Sequence, residues 1–116
     1  MIEKTIEQKL RKKVKGLGRG AMCLKFESPG FNGVPDRIIL LPGAQVIFAE
    51  TKKPGEKERA RQEYVQGLLR DLGFKVWSTV DSLNDIEAII KECEEAIQRE
   101  ELHTTQLPAV LHSEDH

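Results

Sequence analysis

The chain has 116 residues, 39% of them apolar and 32% charged, with a formal net charge of −1. Such a length suits one domain with its own core and is short for two. No run approaches the roughly 20 apolar residues that a membrane helix needs. The neutral total hides an asymmetry: residues 1–75 hold 16 Lys or Arg against 9 Asp or Glu, and residues 76–116 hold 2 against 10. A basic body with an acidic end suggests a nucleic-acid partner.

Ile2, Ile6, Leu10, Val14 and Leu17 fall on one helical stripe, which predicts an amphipathic helix from residue 2 to about 16. Gly16, Gly18 and Gly20 end it. Ala21 to Glu27 alternates as a strand does, with Met22, Leu24 and Phe26 on one face. Ser28 to Pro35 is a loop by its turn residues. Asp36 to Leu41 is a mostly apolar strand, and Pro42-Gly43 turns it into a third strand, Gln45 to Lys53, as a hairpin. Pro54-Gly55 breaks that strand. A helix is predicted from about Glu56 to Leu72, burying Val65, Leu68, Leu69 and Leu72, with Gly73 as its C-terminal cap.

Phe74 to Thr79 is a fourth strand. Asp81 or Ser82 caps a last helix that carries Leu83, Ile86, Ile89, Ile90, Cys93 and Ile97 on its inner face. The pattern dissolves after about Glu101. The expectation is one α/β domain over residues 1–101, a central mixed sheet flanked by helices in the order α-β-β-β-α-β-α, followed by a disordered tail over 102–116. Cys23 and Cys93 are far apart and form no CxxC, so they read as buried thiols of a reducing compartment. The opening Met1-Ile2-Glu3-Lys4 has no apolar run behind it, and a cytoplasmic location in a bacterial or phage-infected cell is expected.

Three charged residues interrupt the sheet. Asp36 opens the second strand, and Glu50 and Lys52 lie two apart on the third, hence on one face. Hairpin pairing would set Asp36 beside Glu50. Two carboxylates at one spot repel unless a cation lies between them, and their hard oxygens suit Mg²⁺ or Mn²⁺. A lysine beside such a metal can orient water and stabilise charge on phosphorus, a combination suited to phosphodiester hydrolysis. The plainer alternative is a surface salt bridge between Lys52 and Glu50.

Gly33-Val34-Pro35-Asp36-Arg37, followed by Glu50-Thr51-Lys52, resembles the PD-(D/E)xK nuclease signature. With the hairpin, the helix bearing Arg59-Ala60-Arg61-Gln62, and Leu72-Gly73-Phe74-Lys75-Val76-Trp77, residues 3–90 resemble the VRR-NUC branch, whose fold is restriction-endonuclease-like. The resemblance implies that Asp36, Glu50 and the Thr51 carbonyl bind Mg²⁺ or Mn²⁺ and that Lys52 serves the water. It matches the family's helical glutamine to Gln62 and its first-helix glutamate to Glu7. By helical geometry alone, Glu3 serves as well as Glu7. Gln62 extends the inward stripe of its helix with a polar group that needs a partner.

Basic residues at Arg11, Lys12, Arg37, Lys53, Arg59 and Arg61 are candidate phosphate contacts. Phe31 and Asn32 could touch substrate, whereas Trp77 reads as core. The expected function is a metal-dependent DNA endonuclease without an organic cofactor or a membrane partner. The resemblance to stand-alone resolvase-like members implies a homodimer acting on branched DNA such as four-way junctions. Apolar residues of the first and last helices could cover the partner. Two other readings stand beside this one: a non-catalytic DNA-binding module of the same fold, and a glycosidase using Asp36 and Glu50. The nearby lysine and basic surface suit the latter poorly.

Overall fold

A computed structural model of the chain describes residues 2–106. Its elements are α1 (Glu3–Gly16), β1 (Met22–Lys25), β2 (Arg37–Leu41), β3 (Gln45–Thr51), α2 (Ala60–Asp71), β4 (Lys75–Val80) and α3 (Leu83–Gln106). The four strands form one mixed sheet in the order β1-β2-β3-β4. β1, β2 and β3 pair antiparallel, with Ile38 opposite Phe48 in the hairpin. β4 joins β3 in parallel after the α2 crossover, and the ladder is irregular between Ala49 and Thr51. The α/β class, the mixed sheet and the element order are those expected from the sequence.

Period-2 alternation gives the sheet two unlike faces. Ile39, Leu41, Ile47 and Ala49 point to one side, where they meet Ile6, Leu10 and Val14 of α1 and Ile86, Ile89, Ile90, Cys93 and Ile97 of α3 in a single core. On the other side Phe48 lies between Phe26 and Phe74, with ring centroids 5.7 and 5.4 Å away. The helix residues expected to cover a partner are thus spent on the monomer's own core, Ile2 excepted, which is exposed. Cys23 and Cys93 are buried and free. Trp77 packs against the core, and its Nε1–H donates to Glu92.

Several boundaries shift. β1 is shorter than its alternating pattern, and α2 begins at Ala60, because Arg59 is extended (φ −92°, ψ 153°) and residues 56–59 are loop. Within α2, Val65 and Gln66 are buried, while Leu68 and, just past the helix end, Leu72 are exposed. The inward stripe runs through Gln62, Val65 and Gln66 instead of Val65, Leu68 and Leu72. Polar tethers set that rotation: Gln62 bonds into β3's end, and Arg70 donates to the Val76 carbonyl. Leu83 is exposed as the first residue of α3. α3 continues past Glu101 to Gln106. The remainder of the expected tail, 107–116, lies outside the described residues. Among those described, no helix is long and apolar enough to cross a membrane.

Candidate active site

The site forms where three elements end together: the N-terminal half of α1, the open end of the β2–β3 hairpin and the first turn of α2. Side chains at the end of β3 diverge by parity. Glu50 and Lys52 face α2, and Thr51 faces α1. Asp36 immediately precedes β2 and ties the two halves together. Its backbone N–H donates to Glu50 Oε1 at 3.1 Å, and its Oδ1 accepts the Thr51 backbone N–H at 2.8 Å. Thr51 Oγ1 lies 2.5 Å from Asp36 Oδ2 and 3.1 Å from Glu7 Oε1, its single proton serving either. Asp36 and Glu50 therefore adjoin, as the hairpin register requires.

On the α2 side Lys52 and Glu50 are an ion pair at 3.2 Å, and both are buried. Gln62 closes this pair into a triangle. Its Oε1 accepts from Lys52 Nζ at 2.9 Å and from the Arg59 backbone N–H at 3.0 Å, while its Nε2 donates to Glu50 Oε2 at 3.1 Å. The partner demanded by a polar group on an inward stripe is thus the Glu50–Lys52 pair. A salt bridge does join Glu50 to Lys52, yet it is buried rather than a surface contact.

On the α1 side both helix acids reach the site. Carboxylate oxygens of Glu3, Glu7 and Asp36 all lie within 4.8 Å of one another. Glu3 also lines a cleft of about 410 Å³ with Glu50, Lys52, Glu56, Lys57, Arg59 and Gln62. The two acids differ in their surroundings: Glu7 is held by Thr51 and Arg37, and Glu3 stands at the cleft. Burial, followed by the hydrogen-bonded Glu7 carboxyl, pushes Asp36 up to about 7. Burial also raises Glu50, against the pull of Lys52. In Glu7, burial is outweighed by hydrogen bonds to Asp36 and Thr51 and by the Arg37 charge, which leave it low.

The expected phosphate contacts divide. Lys53, Arg59 and Arg61 are exposed around the α2 end of the cleft, and Arg11 and Lys12 are exposed on α1. Lys12 lines a separate groove with Leu83, Ile86 and Glu87. Arg37 is different: its side chain is 11% exposed, and it donates to Glu7 Oε2 at 3.4 Å. The structure places it inside the site, on Glu7, and not on an open DNA-facing surface. Its parity with Ile39 and Leu41, both on the α1 face, was the available signal.

A mixed sheet brings two carboxylates and a lysine to the open end of a hairpin, backed by a crossover helix, the arrangement expected from the sequence resemblance. The fold is similar to that of a solved VRR_NUC domain, with a TM-score of 0.69 and 22% identity, over 77% of this chain and 94% of that one. No family model matches the chain. In sequence the chain is 42% identical over 74 residues to "Putative nuclease p44" of Acyrthosiphon pisum secondary endosymbiont phage 1, covering 64% of this chain and 77% of that protein. This chain belongs to one family with that putative phage nuclease, and its fold is that of a VRR_NUC domain.

Proposed function

We propose that the chain is a Mg²⁺- or Mn²⁺-dependent DNA endonuclease, a homodimer that selects branched DNA such as four-way junctions. The observation that carries the metal dependence is the convergence of Glu3, Glu7 and Asp36 within 4.8 Å, next to Glu50. Like charges so close call for shared protons or a bound cation, and the donors are all hard oxygens. Asp36 and Glu50 would hold the ion with the Thr51 carbonyl, and Glu7 and Glu3 would supply the outer carboxylates. A bound divalent cation lowers the pKa of water and neutralises charge on the phosphoryl oxygens.

The chain's own residues then have distinct tasks. Thr51 fixes Asp36 through both its N–H and its hydroxyl. Arg37 orients Glu7 and balances its charge. Gln62 and Glu50 pin the Lys52 ammonium, so its remaining donor can meet the attacking water or a phosphoryl oxygen without reorganisation. Lys53, Arg59 and Arg61 would take flanking phosphates. One domain of this size offers one such site, while resolving a junction needs two opposed cuts, which a two-fold dimer provides. The test is cleavage of linear duplex and four-way junction with Mg²⁺ and with EDTA. Junction-selective cutting abolished by EDTA is expected. Binding without cutting would identify the non-catalytic module, and metal-independent cutting would overturn the assignment of the carboxylates.

A further inference from the structure

Beside the cleft, one residue before Gln62, the Arg61 guanidinium lies over two aromatic rings. Its Cζ lies 4.8 Å from the Phe31 centroid and 5.4 Å from that of Tyr64. Both rings are exposed, at 42% and 57%. Among the described residues no carboxylate pairs with Arg61. Its Nε–H donates instead to the Asn32 carbonyl at 2.9 Å. The loop is pressed onto it: a Cβ at Gly33 would stand 2.9 Å from Arg61 Cγ and 3.1 Å from Val65 Cγ2, at φ +96°. The same short loop runs on to Asp36. The loop therefore ties the stack to the site carboxylates.

We propose that Phe31, Arg61 and Tyr64 form a platform on which an unpaired nucleobase stacks beside the cleaved phosphodiester. The inference rests on the nuclease reading and names the DNA feature that the site selects. Exposed rings flanking an unpaired guanidinium offer π and cation–π surface to any base without reading its identity. Lys57 and Arg59 on the adjoining cleft wall supply the charge for the backbone that carries such a base. A continuous duplex keeps its bases stacked on one another and has none to offer at low cost, whereas a branch point, gap or flap does. A phosphate bound to Arg61 alone would need neither ring.

The experiment uses the full chain carrying Asp36→Asn, so that binding is read without cutting. A fluorescent 2-aminopurine is placed either at an unpaired position beside a branch or within continuous duplex. Binding should change the emission of the unpaired base only. Phe31→Leu and Tyr64→Leu, which keep apolar bulk but remove the ring, should abolish that change. They should also lower the ratio of affinities for branched over continuous DNA by about tenfold. Tyr64→Phe should retain both signals. Unchanged emission with the intact rings, or equal loss of affinity for both DNAs, overturns the platform. Cleavage by the otherwise native chain is scored separately. Cutting without base stacking sinks only this inference, and stacking without cutting sinks only the nuclease reading.

Discussion

Asp36 and Glu50 belong to one constellation, but their removal has opposite consequences for the metal-free protein. Asp36 faces Glu7 and Glu3, so Asp36→Asn relieves like-charge repulsion, and the amide can still bond Thr51. Its melting temperature without metal should equal or exceed that of the native chain. Glu50 is the counter-charge of a buried lysine, and Glu50→Gln leaves that ammonium unpaired. A loss on the order of 3 kcal/mol is expected, read by urea titration. Both variants should be inactive in magnesium, and near-normal turnover by either would end its assignment as a ligand.

The pH dependence follows from the same carboxyls. Asp36, pushed up to about 7 from an ordinary 3.8, binds its proton more tightly in the folded state than in the unfolded chain. Its contribution to stability is therefore complete below about pH 4 and declines as pH rises toward 7. Glu50 shifts in the same direction, and Glu7, held low, opposes them. In EDTA the melting temperature should fall between about pH 4 and about pH 7. Magnesium should flatten that fall, because ion binding requires the ionised form. A flat profile in EDTA would show that the three shifts cancel.

At the scale of elements, the junction between the Ser28–Pro35 loop and α2 decides how the site is assembled. Gly33 has φ +96°, and a methyl there meets the Arg61 carbonyl at 3.0 Å and Val65 at 3.1 Å. Gly33→Ala should cost about 2 kcal/mol from left-handed strain and overpacking. Because the loop leads into Asp36, it should also lower turnover in excess of that loss, measured well below the melting temperature. Within α2, Gln66 is fully buried, and neither atom of its amide has a hydrogen-bond partner among the described residues. Gln66→Met keeps the length and removes two desolvated polar atoms, so stability should rise by about 1 kcal/mol. A destabilised Gln66→Met would mean that the amide is satisfied in solution.

Over the whole molecule, the sheet separates two environments. α1 and α3 share the apolar core on one face, and the cleft opens where α1 and α2 meet the hairpin. Ion pairs such as Lys13–Glu87, 2.9 Å, and Arg19–Glu101 bind the basic N-terminal segment to the acidic last helix. That pairing spends part of the charge asymmetry inside the fold. The cations left around the cleft are those near α2. Since α1 and α3 bury their stripes internally, a dimer must use other surface. The exposed candidates are Met22 and Leu24 on the edge strand β1, and Leu68, Leu72 and Phe74 near the end of α2. Light scattering should return about twice the 13.1 kDa chain mass. A monomer at micromolar concentration would remove the two-cut geometry and with it the junction preference.

The sequence by itself determined the elements, their order and the candidates for the site. Helical and strand periodicities are local properties, and Asp36, Glu50 and Lys52 stand out because charge is costly inside a sheet. The inward glutamine of α2 was legible for the same reason. Tertiary structure alone decided which face each helix turns inward. Leu68 and Leu72 continue an apolar stripe as well as Val65 does, and the tethers of Gln62 to Lys52 and Glu50 and of Arg70 to the Val76 carbonyl select the rotation that exposes them. It also decided that Arg37 pairs with Glu7, that Glu3 comes close to Glu7 and Asp36, and that Arg61 lies over Phe31 and Tyr64. Each of these contacts joins elements distant along the chain. Their existence depends on how the loop and helices pack on the sheet, a quantity that no single segment's pattern contains.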